Sequence, residues 1–314
     1  DCWSSGVGST IGRLRMRHAF MYFEWKSKAL LMGQYWHPVV VTSCTPDVIM
    51  FNGGSPFELF GRDAQIRLTK KYGIMTLLLA ACSRGTSIID GPMAAAQEVE
   101  DLFIRNGIMP NLDAQVHVQV NDHLFGLAVD VTRLVPRLAT EDDRMRVNES
   151  LISYITYGFA SLNWPTFTLN LKGIYAQNGY GYTLMSGYAI HCKDTYSGEQ
   201  TYTNTQCISA WADMYYKHPV VRPGLFIGYT KNIGACQSIL LDPDKETIFS
   251  GGQDNIDYIF RFSPRIRWLK KPFILGIELD VTQAAYGTVT NTGRVINAVP
   301  VTNFRAMFAT FYVF

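Results

Sequence analysis

No long apolar run occurs in this sequence. The longest, about Ile74 to Cys82, falls far short of the ~20 residues that a membrane-spanning helix needs. Charge is scarce as well: Asp, Glu, Lys and Arg make up 17% of the residues, where soluble domains average roughly 25%. A net charge of +2 without any basic run offers nothing for nucleic acid to bind. The six cysteines have no C-x-x-C spacing, which argues against zinc. An oxidising compartment would permit disulfides, but spacing alone pairs none of them. His18, His37, His117, His123, His191 and His218 are dispersed without ligand spacing, so no metal and no cofactor is expected. No G-x-S-x-G elbow is present, and no Ser/His pair is closely spaced.

Aromatics, by contrast, reach 13%, with 17 Tyr and 18 Phe, and much of the chain alternates with a period of two. Near the end, Phe304, Ala306, Phe308, Thr310, Tyr312 and Phe314 share one face, while Asn303 and Arg305 start the other. Leu112, Ala114, Val116, Val118 and Val120 oppose Asp113, Gln115, His117 and Gln119. Phe167, Leu169, Leu171 and Tyr175 oppose Thr168, Asn170 and Lys172. Such alternation predicts half-buried strands. Thirteen candidates result: 11–25, 29–36, 64–71, 74–83, 112–120, 124–135, 149–162, 166–177, 201–217, 221–231, 253–268, 272–283 and 302–314.

One amphipathic strand alone would suit a soluble sandwich equally well. The connections separate the two folds. Short turns at 26–28, 72–73, 121–123, 163–165, 218–220 and 269–271 alternate with long connections at 37–63, 84–111, 136–148, 178–200, 232–252 and 284–301. Up-and-down outer-membrane barrels have this rhythm, with short periplasmic turns and long outside loops. The expected fold is therefore an all-β, transmembrane, antiparallel up-and-down β-barrel forming one domain. Bacterial single-chain barrels have even strand numbers, so strands are expected before Asp1; no signal-peptide pattern is visible in the residues from Asp1 onward. Three more would make sixteen. An aromatic girdle is expected at Tyr22, Trp25, Tyr72, Trp164, Tyr216, Trp268 and Tyr312, near the short turns.

The face opposite the apolar one carries the functional expectation. Arg13, Arg15 and Arg17 recur at every second residue, ~7 Å apart from one to the next at a strand rise of ~3.3 Å per residue. Gln65, Arg67, Thr69 and Lys71 share a face of the candidate strand 64–71, with Arg62 just before it; Arg261, Arg265 and Arg267 share a face of another, and Arg305 lies on the last. Arginine on a lipid face costs ~2–4 kcal/mol at the midplane, so these residues should line a wet interior and attract anions. The competing reading pairs them with Asp113, Asp130, Asp213, Asp257, Glu278 and Asp280 to hold the wall. Loop 37–63 is unusually apolar, with Val39, Val41, Val48, Ile49, Met50, Phe51 and Phe57 among its prolines and glycines. It should bury that surface by folding into the lumen, against a neighbouring subunit or onto its own barrel rim; folded inward, it would form a constriction carrying Asp47, Gly54, Pro56 and Glu58, its two carboxylates facing the arginines. Pro92 and Asn106–Gly107 frame a short helix within 84–111.

The segment Arg17 to Thr69 reads RHAFMYFEW, then LLMGQYWHP, FNGGSPF and GRDAQIRLT. It resembles the trimeric outer-membrane porins of the DcaP type and their relatives in Bacteroidota, through Arg17, Ala19, Phe20, Gly33, Gln34, Trp36, Gly54, Ser55, Pro56, Arg62, Gln65, Ile66, Arg67 and Thr69. The resemblance implies a sixteen-stranded barrel, a homotrimer and passive diffusion of small, often anionic, hydrophilic solutes. The cysteines and the missing first strands depart from the pattern. The expected surroundings are outer-membrane lipid and lipopolysaccharide. Two other functions stay open: a scaffold or adhesin working through its outside loops, and an outer-membrane hydrolase.

Overall fold

Period-two patterning dictates extended chain, and the computed structural model is all-β. It describes residues 2–4, 14–50, 52–83, 106–140, 145–241, 249–250 and 255–313; for 2–4, 14–16 and 249–250 it describes the backbone alone. The strands are β1 (Cys2–Ser4), β2 (Leu14–Met16), β3 (Ala19–Trp25), β4 (Lys28–Trp36), β5 (Arg62–Tyr72), β6 (Met75–Cys82), β7 (Asn111–Val120), β8 (His123–Leu134) and β9 (Leu151–Asn163). They continue with β10 (Phe167–Gln177), β11 (Tyr188–Lys193), β12 (Gln200–Tyr216), β13 (Val221–Ala235), β14 (Phe249–Ser250), β15 (Ile256–Lys270), β16 (Phe273–Val289) and β17 (Val295–Tyr312).

From β3 to β17 the long strands pair with their neighbours in chain order, antiparallel throughout, in one continuous meander. Short β11 and β14 stand off this path on the long-connection side, with β11 paired to β12 and β14. Each of the thirteen expected strands has its counterpart, and the single meander rules out a two-sheet sandwich. Among the described residues β3 and β17 are the two ends of the sheet and are not hydrogen-bonded to each other. A sixteen-strand count is neither met nor excluded by these residues.

Three expectations change. The candidate 11–25 is broken at Arg17 and His18; β2 leaves the sheet and pairs with β1 as a separate ribbon. The last long connection shrinks to 290–294, because β16 and β17 extend toward each other and pair out to Val289↔Val295. Finally, β11 and β14 lie inside connections expected to hold no strand. The helix expected within 84–111 and the terminal Phe314 lie outside the described residues.

Register fixes the two faces. Leu31↔Arg67, Arg67↔Ala80, Ala80↔Asp113 and Asp113↔Asp130 run strand to strand on one face. Paired residues share a side of the sheet, so this face collects the buried polar residues, and the other exposes Ile66, Leu79, Leu127, Ile152, Ile266, Leu279, Phe304 and Phe308. An apolar exterior around a polar interior is the pattern lipid demands of a barrel. At the short-turn rim Trp25, Tyr72, Tyr216, Trp268 and Tyr312 are all exposed and fall on the outward face, as a girdle requires. Tyr22 does not: its pairing with Leu31 sets it on the inner face. Trp164 lies in a turn, stacked on Phe167 at 4.4 Å between ring centroids.

Candidate functional site

The connection between β4 and β5, residues 37–61, holds the apolar residues that an exposed loop would have to leave in water. Instead it crosses the inner face of the sheet. His37 Nε2 lies 2.8 Å from Asn111 Oδ1, at β7. The Pro38 carbonyl accepts from Gln115 at 2.8 Å, and that of Val39 from Lys172 at 2.9 Å. The Asp47 amide donates to Asp213 Oδ2 at 3.0 Å, and the Ile49 and Met50 amides both donate to Glu278 Oε2. Asn52 Oδ1 accepts from Arg261 at 2.9 Å. Val39, Val41, Cys44, Phe57 and Leu59 form one cluster with Tyr157, Phe159, Ile174, Trp211 and Phe226 of the wall. Each such side chain, fully buried, contributes about 1.5–3 kcal/mol, so the loop is held as core.

Much of the charge inside this enclosure is paired. Arg265 donates both terminal nitrogens to Asp213, at 2.7 and 2.9 Å. Its room comes from Gly224, where a Cβ would meet the guanidinium carbon at 2.8 Å. Arg267 donates to Asp47 Oδ1 and to the Asp47 carbonyl, and Asp47 Oδ2 stands 3.7 Å from Arg265. Arg261 contacts Glu278 at 2.9 Å and Asp280 at 2.7 Å. Arg305, half exposed, reaches the same Asp280 at 3.3 Å. Higher on the wall, Lys172 donates to Glu58 Oε1 at 2.6 Å and Trp211 Nε1 to Glu58 Oε2 at 2.6 Å. Burial pushes the Glu58 carboxyl up, against the pull of Lys172 and Trp211.

The expected site residues thus divide. Arg261, Arg265, Arg267 and Arg305 are on the inner wall, and Asp47 faces two of them across the loop. Arg261, Arg265 and Arg305 pair with Asp213, Glu278 and Asp280, as the competing reading has it, whereas Arg267 pairs with Asp47; Asp257 pairs instead with Lys231 at 3.0 Å. Asp113 and Asp130 lie directly opposite each other and bond to neutral groups, Asp113 to Gln115 and Tyr157, Asp130 to Asn111 and Tyr182. Glu58 faces Lys172 and Trp211 and not the arginines, because β10 and β12 meet the loop where it turns back. Gln65 and Arg67 are on the inner face, bonded to each other at 2.9 Å and to the Trp36 carbonyl. Arg62 is not pore-lining: strand alternation turns it to the other face from Asp63, and its guanidinium lies 3.6 Å from the centre of the Trp36 ring.

The arginine ladder is not a wall of the long sheet. Arg15 lies in β2, which pairs with β1, and Arg17 is in the bend before β3; Arg13 lies outside the described residues. Gly54 has φ +94 and sits against Pro46, where a Cβ would approach Cγ at 2.8 Å. Pro56 follows it in the same tight turn, whose Gly54 carbonyl accepts from the Phe57 amide at 2.9 Å. Lys172 carried a signal in the sequence, since it alternates with Thr168 and Asn170. Arg222 carried less: its inner-face companions Gly224, Phe226 and Gly228 are not polar and blur the alternation.

No family model matches this chain, and no curated protein does. Among solved structures it is similar to the outer-membrane-expressed OmpT of Vibrio cholerae, with a TM-score of 0.56 and 8% identity, covering 95% of this chain and 81% of that one. The trimer form of in-vitro folded OmpT, an outer membrane protein of the same organism, gives a TM-score of 0.55, again at 8% identity, over 96% and 82%. A loop L8 deletion mutant of OmpT gives 0.55 at 8%, over 96% and 81%. The likeness is one of fold: this chain has the architecture of outer-membrane β-barrel proteins.

Proposed function

We propose that this protein is a porin of the bacterial outer membrane, passing small hydrophilic solutes by passive diffusion past a loop folded into its lumen. One observation carries the reading: residues 37–50 and 52–61 lie along the inner wall and are fixed there through two carboxylates, Asp47 on Arg265 and Arg267, Glu58 on Lys172. A loop held inside a barrel by ion pairs narrows the passage and sets fixed charges beside it, which is what a diffusion channel needs to select by size and sign. The resemblance of Arg17 to Thr69 to DcaP-type porins supports the same reading, with a homotrimer in outer-membrane lipid and lipopolysaccharide, and no cofactor.

Anion preference belongs to this proposal, in a reduced form. Most inner arginines share their charge with a carboxylate, so the excess is small and local, resting where Arg222 stands opposite Arg267. The test is reconstitution. Planar bilayers should show discrete conductance steps, proteoliposomes should swell in small sugars and dicarboxylates, and a salt gradient should give an anion-selective reversal potential. Deleting 45–58 should raise the unit conductance. Vesicles that do not swell would favour the scaffold reading, and cation selectivity would sink the anion preference alone.

A further inference from the structure

Arg222 was in no expected site, yet it stands where the inner wall carries its excess positive charge. In β13 it shares the inner face with Phe226 and Thr230, and it lies directly opposite Arg267 of β15. Directly opposed side chains have Cβ atoms ~5 Å apart, and like charges so placed destabilise a sheet. Arg265 is the next inner residue of β15, so three guanidinium groups crowd one patch. Two carboxylates serve them: Asp213 is taken by Arg265, and Asp47 by Arg267 and Arg265. Glu278, opposite Arg265, is engaged by Arg261 and by the Ile49 and Met50 amides. Among the described residues no carboxylate lies within ion-pair distance of Arg222, whose neighbour is the ring of Tyr215, 5.3 Å away. The Nε atoms of Arg222 and Arg267 are both buried without a hydrogen-bond partner.

We propose that Arg222 and Arg267, with the Tyr215 ring beside them, form an oxyanion-binding subsite on the lumen wall, one that takes a carboxylate or phosphate group of a passing solute. The Arg222 guanidinium, without a carboxylate, suits such a group; Arg267, whose terminal nitrogens are held by Asp47 and Val48, adds its charge and its unpartnered Nε. An anion held between the two arginines would relieve the repulsion that their register imposes. The subsite lies just past the loop segment Asp47–Ile49, where a solute leaving the constriction would meet it.

This inference rests on the channel reading, and the test separates the two. In planar bilayers with chloride as the current carrier, succinate and inorganic phosphate should each reduce the conductance saturably. In Arg222→Gln the apparent affinity should fall about tenfold or more, the order expected for one charge-assisted hydrogen bond. Arg222→Lys, which keeps the charge but loses the fork, should fall between. If succinate blocks and phosphate does not, or the reverse, the subsite stands with its solute class named. A conducting protein that neither anion blocks, or whose block is unchanged in Arg222→Gln, overturns the subsite. A protein with no conductance overturns the channel reading itself.

Discussion

The ring of Phe57 rests on Gly228, so closely that a Cβ at residue 228 would stand 2.5 Å from the ring carbon Cγ. Phe57 is fully buried and also faces Phe226, at 6.0 Å between ring centroids. A glycine in a central strand weakens the strand and marks the close approach of another group; here that group is the anchor of the inner loop. Gly228→Ala should therefore push Phe57 out of its seat, raising unit conductance and open-channel noise. Phe57→Ala should do the same, at a cost of about 3–5 kcal/mol in loop packing. Because both act on one contact, the double variant should resemble Phe57→Ala alone. Additive changes in conductance would mean that the ring does not hold the loop.

Strand existence was legible because a barrel's two solvents impose period two on nearly every strand. β10 shows why: Leu169 and Leu171 face out, while Thr168, Asn170 and Lys172 face in. The lumen arginines of β15 could be assigned to a face for the same reason. What alternation cannot say is how far a strand runs once it leaves the membrane, so the pairing of β16 with β17 out to Val289 and Val295 was missed. Nor can it say which carboxylate meets which cation. Glu58 meets Lys172 because the loop doubles back over β10 and β12, a tertiary fact with no trace in either residue's neighbours. The Arg13–Arg15–Arg17 periodicity was present, but a periodic segment need not join the main sheet.

Lys172 and Glu58 form an enclosed ion pair, with side chains 0% and 5% exposed. Removing one partner leaves the other charge buried and alone, which costs about 3–5 kcal/mol. Lys172→Met should lower the denaturant midpoint for loss of loop packing, followed through the fluorescence of Trp211, which donates to the same carboxylate. Adding Glu58→Gln should recover much of the loss. A single variant as stable as the unaltered protein would show that the pair contributes nothing to holding the loop.

Asp47 shares its carboxylate between Arg265 and Arg267. Asp47→Asn removes one negative charge from the inner loop while keeping its shape, leaving more positive charge beside Arg265 and Arg267. The reversal potential in a salt gradient should shift toward anions. The shift should be largest in dilute salt, since screening shortens to about 10 Å at 0.1 M ionic strength. An unchanged reversal potential would place Asp47 away from the permeation path.

Trp25 and Trp268 lie on the outward face near the short turns, each 56% exposed in the isolated chain, whereas Trp211 is 3% exposed on the inner face. If the outward face meets lipid, the two rim indoles sit at the level where headgroups give way to acyl chains. Single-tryptophan proteins reconstituted in bilayers should separate accordingly. Brominated lipids should quench Trp25 and Trp268, most strongly when bromine lies near the carbonyl end of the acyl chain. Trp211 should be quenched little at any bromine depth, since the wall of β12 and the loop residue Glu58 stand around it. The contrast tests the assignment of faces on which every lumen argument depends: efficient quenching of Trp211 with none at Trp268 would turn the sheet inside out.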